Sequence, residues 1–167
     1  MPTSSDTRGM AEVLVSPAGQ LRGARRRVLD VILEAMGDDE GLVVPDYQHG
    51  YCGGWDVRIH PADAKTKRSE GDMYLVSDRG LYVGFLEKKG LMSAAPAHRF
   101  FSHGAISSCG LETMSSPDGS ETHALTLRGV DGRDLVSLVF IYVAGFGFDN
   151  HAPVNVARLQ EALRFRG

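Results

Sequence analysis

Cysteine is scarce in this sequence: two in 167 residues, Cys52 and Cys109. Their surroundings do not resemble the densely paired scaffold of small secreted folds, so a reduced, cytoplasmic chain is the expectation. Long apolar runs are missing too. The longest, Leu135 to Phe146, is broken by Ser137 and Gly145 and falls short of the ~20 residues that a membrane-spanning helix needs. The opening stretch MPTSSDTRGMAEVLV has no charged start followed by an apolar core, so no secretory signal is read there. Positive charge is not in excess: the formal net charge is −3, which removes the bulk attraction expected of a nucleic-acid-binding domain. There is no phosphate-cradling Gly-x-x-x-x-Gly-Lys loop. Gly145-Phe146-Gly147 lacks the third glycine and the strand–turn–helix setting of a dinucleotide fingerprint. No internal repeat is visible.

What is present suits one folded domain. Apolar residues make up 43 % and charged residues 23 %, within the ordinary globular range. Residues 1–15 are rich in Ser, Thr and Gly and read as a flexible tail. A helix is expected over 16–37, with Ser16 as N-cap, Pro17 in its first turn and Gly37 as its stop. Val28, Val31, Ile32, Ala35 and Met36 form its apolar stripe, and Arg22, Arg25, Arg26 and Asp30 lie on the opposite face. Leu42 to Pro45 reads as a short edge strand, and the stretch to Gly54 as a glycine-bent loop with aromatics. Strands follow at Trp55 to His60, Met73 to Val76, Leu81 to Leu86, Ile106 to Met114, His123 to Leu127 and Leu135 to Tyr142. Lys88 to Pro96 reads as a long connection. Ser77-Asp78-Arg79-Gly80 and Val130-Asp131-Gly132 are turn signals between strands. A closing helix is expected after Asp149-Asn150, with Pro153 in its first turn and Val156, Leu159 and Leu163 buried. The fold class is therefore α+β: an antiparallel sheet, rolled into a barrel or folded as a sandwich, with one helix at each end of the chain.

The segment MYLVSDRGLYVGF, Met73 to Phe85, resembles a recurring piece of bacterial pleckstrin-homology-like and GRAM-like domains. Phe100, Phe101 and Ile106, the His123 to Tyr142 hairpin and the last helix follow in the familiar order, so the resemblance spans about residues 55–165. It implies a PH-like unit over residues 42–167 and a binding module without catalysis. It also implies a site. In family members that bind inositol phosphates, basic residues at one strand end, in the next loop and at the next strand converge on phosphate. Arg58, Lys65, Lys67 and Arg68 have that layout, with ammonium and guanidinium groups suited to phosphate oxygens. Asp63, Glu70 and Asp72 dilute the local field.

Other constellations are weaker. His49, Cys52, Asp56 and His60 hold one His-x-x-Cys spacing without the second pair that zinc prefers, and no base or oxyanion site accompanies Cys52. Neither a metal, a cofactor nor a catalytic residue is expected. Tyr47, Tyr51 and Trp55, spaced through a glycine-rich stretch, are candidate partner anchors. The leading functional expectation is a binding or adaptor module for another protein, engaged through those aromatics or an exposed strand edge. An anionic headgroup on a peripheral membrane surface is the second expected partner, and nucleic acid is not expected. Two alternatives stand beside it. One is a small-ligand-binding protein or small enzyme with a pocket near His49, Cys52 and His60. The other is an antagonist or immunity-type protein that blocks its partner.

Overall fold

A computed structural model describes residues 23–39, 57–64, 66–68, 70–147 and 149–164. Helix α1 covers Ala24–Met36. Seven strands follow: β1 Val57–Pro61, β2 Met73–Val76, β3 Gly80–Lys88, β4 Ala94–Ser102, β5 Ile106–Ser115, β6 Glu121–Gly129 and β7 Asp134–Tyr142. Helix α2, Ala152–Arg164, closes the order. All ladders are antiparallel: β2-β3-β4 form one sheet and β1-β7-β6-β5 the other.

The two sheets are layers of a sandwich and do not close into the barrel that was one of the two expected forms. β4 does not pair with β5; the chain turns between them through the 3-10 segment His103–Ala105. On the other side, β1 and β2 are joined by a side chain and not by a ladder, because Asp72 Oδ2 accepts the Ile59 amide at 2.6 Å.

β2 and most of β3 are buried on both faces, which is why Met73–Val76 and Leu81–Leu86 read as unbroken apolar runs. Tyr74, Val76, Leu81 and Val83 point into the sandwich, where they meet Ile59, Leu125, Leu127, Leu138 and Phe140. Tyr74 packs edge-on to Phe140, ring centroids 5.7 Å apart. Met73, Leu75, Tyr82 and Leu86 face outward and are roofed by Val28, Leu29, Ile32, Leu33 and Met36 of α1. The helix therefore buries a wider stripe than expected, including Leu29 and Leu33. Arg25, expected on the solvent face, is buried on that stripe one turn before Val28 and Leu29. A long side chain can lay its methylenes along such a seam. The expected helix start at Ser16-Pro17, the strand Leu42 to Pro45 and the loop after it lie outside the described residues.

Close approach of α1 needs Gly84. A Cβ there would lie 2.4 Å from Val28 Cγ1 and 2.7 Å from Ile32 Cδ1. Gly84→Val is expected to lift α1 from the sheet and lower stability by about 2–3 kcal/mol, the cost of overpacking a filled core. Urea denaturation measures this, and unchanged stability would contradict the packing.

The expected connection Lys88 to Pro96 is largely strand. β3 runs to Lys88, and β4 begins at Ala94 and pairs with β3 along its whole length. Pro96 is tolerated because β4 is an edge strand. The β6–β7 turn is as expected: Gly132 sits at φ 81° and the Asp131 carboxylate accepts the Arg133 amide at 3.0 Å. At α2, Asn150 Oδ1 accepts the Ala152 amide at 3.1 Å, and Val156, Leu159 and Leu163 close one end of the sandwich.

Candidate functional site

Among the described residues, positive charge and bare apolar surface meet at one end of the three-stranded sheet. Residues 66–68 lie against the last residues of β3. The Lys88 amide donates to Thr66 O at 2.7 Å and the Arg68 amide to Leu86 O at 2.8 Å, so that the backbone of Lys67 pairs antiparallel with that of Glu87. Lys67, Arg68, Lys88 and Lys89, far apart in sequence, thus share one end of the fold. The sequence has only four lysines. Three of them are here, and the fourth, Lys65, lies outside the described residues.

From this base the β3–β4 hairpin projects its tip. Residues 88–93 are all exposed, and Leu91 and Met92 stand in water with Met92 93 % accessible. Among the described residues the tip is tied down at its root, where the Lys89 amide donates to Ser93 O at 2.9 Å. Arg27 of α1 reaches the same root and donates from Nη2 to Ala94 O at 3.0 Å. A carbonyl does not neutralise a guanidinium, so that charge stays available.

The cations differ in how far the fold already uses them. Lys67 holds Asp72 at 2.9 Å, and both side chains are withdrawn from water, at 10 % and 0 % exposure. It is a structural ion pair. Arg68 pairs with Glu70 at 2.9 Å and Lys89 with Glu87 at 2.9 Å, both at the surface. The Glu87 carboxyl is held below its usual range, first by the Lys89 hydrogen bond. Lys88 has no carboxylate partner among the described residues. Exposed pairs of this kind are worth under about 1 kcal/mol and open readily to a better anion.

The expected anion set is therefore brought together in part. Lys67 and Arg68 lie at the lysine-rich end. Arg58 sits on β1, close enough to Asp72 and His60 to act on their ionisation. Burial lowers the pKa of the His60 imidazole, and the Lys67 charge lowers it further. Tyr47, Tyr51, Trp55, His49 and Cys52 all lie outside the described residues. The sequence reading does not single out Lys88, Lys89, Leu91 or Met92. The signal was Lys-Lys-Gly-Leu-Met, apolar residues without periodicity beside a basic pair, and it was hidden inside an apparent loop.

A second polar group links β5 and β6 to the cap of α2. His123 is buried; its Nδ1 lies 3.3 Å from Thr113 Oγ1 and its Nε2 3.0 Å from Glu121 Oε1. The other Glu121 oxygen accepts Asn150 Nδ2 at 3.0 Å. Thr113 and His123 are directly opposed across the ladder, so this is a satisfied cross-strand pair extended to the cap of α2. No group of three metal-ligating side chains occurs among the described residues, and no helix among them is long and apolar enough to cross a membrane.

Comparison of the chain with protein-family models, with curated proteins and with solved structures finds no match.

Proposed function

We infer that the chain is a non-catalytic binding module of the PH-like kind whose lysine-rich end docks on an anionic membrane surface. The order of seven antiparallel strands and a closing helix supports the fold side of this reading. The observation that carries the functional side is the β3–β4 tip, with Leu91 and Met92 bare above Lys88, Lys89 and Arg27. Two apolar side chains entering the acyl boundary contribute about 1.5–3 kcal/mol each. Each lysine near an anionic leaflet adds about 1 kcal/mol. Neither signal alone holds a protein on a bilayer, and together they give reversible attachment.

Vesicle flotation tests this. The full chain is expected to float with phosphatidylcholine vesicles containing phosphatidylserine, and to be released as salt rises. Leu91→Ser with Met92→Ser should lower the bound fraction about tenfold or more, and Lys88→Glu with Lys89→Glu about as much. Failure of the wild-type chain to float at low salt, or variants that float equally well, would sink the reading.

A protein partner has its own supporting observation. β5 is ten residues long, is exposed along most of its length and pairs only with β6 among the described residues. Such an edge can take an extended segment as an added strand.

A further inference from the structure

The hydrogen-bonding side of β5 is fixed by its hairpin. Ser116 donates to Ser120 O at 2.8 Å, so in this register the even-numbered residues turn their amides and carbonyls toward β6. The odd-numbered residues Cys109, Leu111 and Thr113 therefore turn theirs to the open edge. The close Thr113–His123 side-chain contact is what a non-hydrogen-bonded pair provides.

The two free edges of this seam differ. β4 is guarded by Pro96 and by Arg99, which pairs with Asp63 and Glu87. After the irregularity at Ile106/Ser108, β5 has neither a proline nor a lysine, and it exposes Leu111 at 43 % and Met114 at 71 %. Natural sheets normally blunt such an edge.

Its charges are self-complementary. Arg128 bonds Asp134 through Nε at 3.0 Å, and its Nη1 lies where it would be 3.4 Å from a Cβ on Gly110. Free guanidinium N–H groups thus overhang β5 at Gly110. Glu112, two residues along and on the same face, is exposed and has no ion pair among the described residues.

We propose that a second copy of this chain pairs with β5, antiparallel and two-fold, with Leu111 opposite Leu111 of the copy. The proposal rests on the reading of β5 as a docking edge. In this register Leu111 bonds its counterpart reciprocally, Cys109 bonds Thr113 of the copy, and inner faces stay matched. Gly110 then faces Glu112 of the copy in a close, non-hydrogen-bonded pair, which places that carboxylate under Arg128, and symmetry repeats the contact. Shifting the copy one way puts Glu112 against Glu112; shifting it the other way puts Gly110 against Gly110 and loses the ion pair. A shift by a single residue turns every side chain to the wrong face.

Analytical ultracentrifugation of the full chain over a range of concentrations is the first test. A monomer–dimer equilibrium is expected, and Glu112→Arg should weaken it about tenfold, since two exposed pairs become repulsive contacts. Circular dichroism should show the variant folded, because Glu112 is at the surface. Register is tested by oxidising Thr113→Cys in a Cys52→Ser background. Opposed residues in a bonded pair lie about 5.5 Å apart, within disulfide reach. A covalent dimer should form, and should vanish when Cys109→Ser is added. A dimer that ignores Glu112→Arg and does not crosslink uses another surface and overturns the proposal. A chain that stays monomeric also overturns it, and hydrogen exchange then decides the parent reading. Fast exchange at Cys109, Leu111 and Thr113 leaves β5 a bare edge for a different partner; slow exchange means the edge is covered within the monomer, and both readings fall.

Discussion

Gly80→Ala is expected to destabilise the protein by about 3 kcal/mol or more, and to do so far beyond the usual effect of one added methyl. A Cβ at this position would lie 2.2 Å from the carbonyl oxygen of Phe101 and 2.8 Å from Ser102 Cα. Both obstacles are backbone, and no rotamer can remove them. Gly80 begins β3 and pairs with Ser102 at the far end of β4, so relief requires the first rungs of the β3–β4 ladder to open. Opening there also disturbs the turn below. Ser77 donates to Gly80 O at 2.9 Å, and the His103 amide donates to Arg79 O at 3.1 Å. Asp39, just past α1, is held to the same corner by Arg79 at 3.2 Å and by the Tyr82 hydroxyl. The clash should therefore propagate to the seat of α1. Urea denaturation of the variant checks this, with Gly104→Ala as control because nothing lies within 4 Å of a Cβ there. A Gly80→Ala midpoint matching that of the control would show that the strands can separate freely at this end.

Much of this architecture could be read from the residues, and the parts that could not share a physical cause. The turns Ser77 to Gly80 and Val130 to Gly132 were legible because their chemistry is local: a serine or aspartate side chain and a glycine at the required place. β2 matches its expected span, Met73–Val76, and β7 differs by one residue, because apolar runs and alternation report burial directly. β4 was missed. Its sequence, AAPAHRFFS, has no alternation in its first half, and it becomes a strand by pairing with β3, a partnership set by neither segment alone. Arg25 was misplaced for a similar reason, since the width of the buried stripe on α1 depends on the sheet beneath it. The lysine-rich end was the least legible of all. In the sequence, Lys67 and Arg68 read as a basic loop, and Lys88 and Lys89 as part of a connection. Only the pairing of residues 66–68 along β3 makes them one surface.

Asp72→Ala is expected to lower stability by about 3–5 kcal/mol, the usual consequence of removing one partner from a buried ion pair. Asp72 joins three parts of the fold. Its Oδ2 accepts the Ile59 amide at 2.6 Å, which ties β2 to β1, and accepts Lys67 Nζ at 2.9 Å, which fixes residues 66–68 beside β3. Alanine leaves the ammonium of Lys67 withdrawn from water without its counter-charge, and the Ile59 amide without an acceptor. Asp72→Asn separates the two losses, because its amide oxygen can still accept from Ile59 but carries no charge; it should fall between wild type and Asp72→Ala. The pH dependence follows from burial, which pushes the Asp72 carboxyl above its ordinary value of 3.8 even though Ile59 and Lys67 pull the other way. A carboxyl with a raised folded pKa binds its proton more tightly in the native state than in the unfolded chain. Its contribution to stability therefore declines as pH rises from 3.8 through the folded value, and Asp72→Asn should lack that decline. His60 acts at the other limb. With its folded pKa below 6.5, the unfolded chain takes up the proton first, and stability falls as pH drops below 6.5 toward that folded value. Denaturation of wild type, Asp72→Asn and His60→Gln across the acid range resolves the two slopes. A wild-type curve parallel to that of Asp72→Asn would mean that Asp72 ionises at its ordinary value. The joint between β1, β2 and the lysine-bearing segment would then be held by packing and not by this carboxylate.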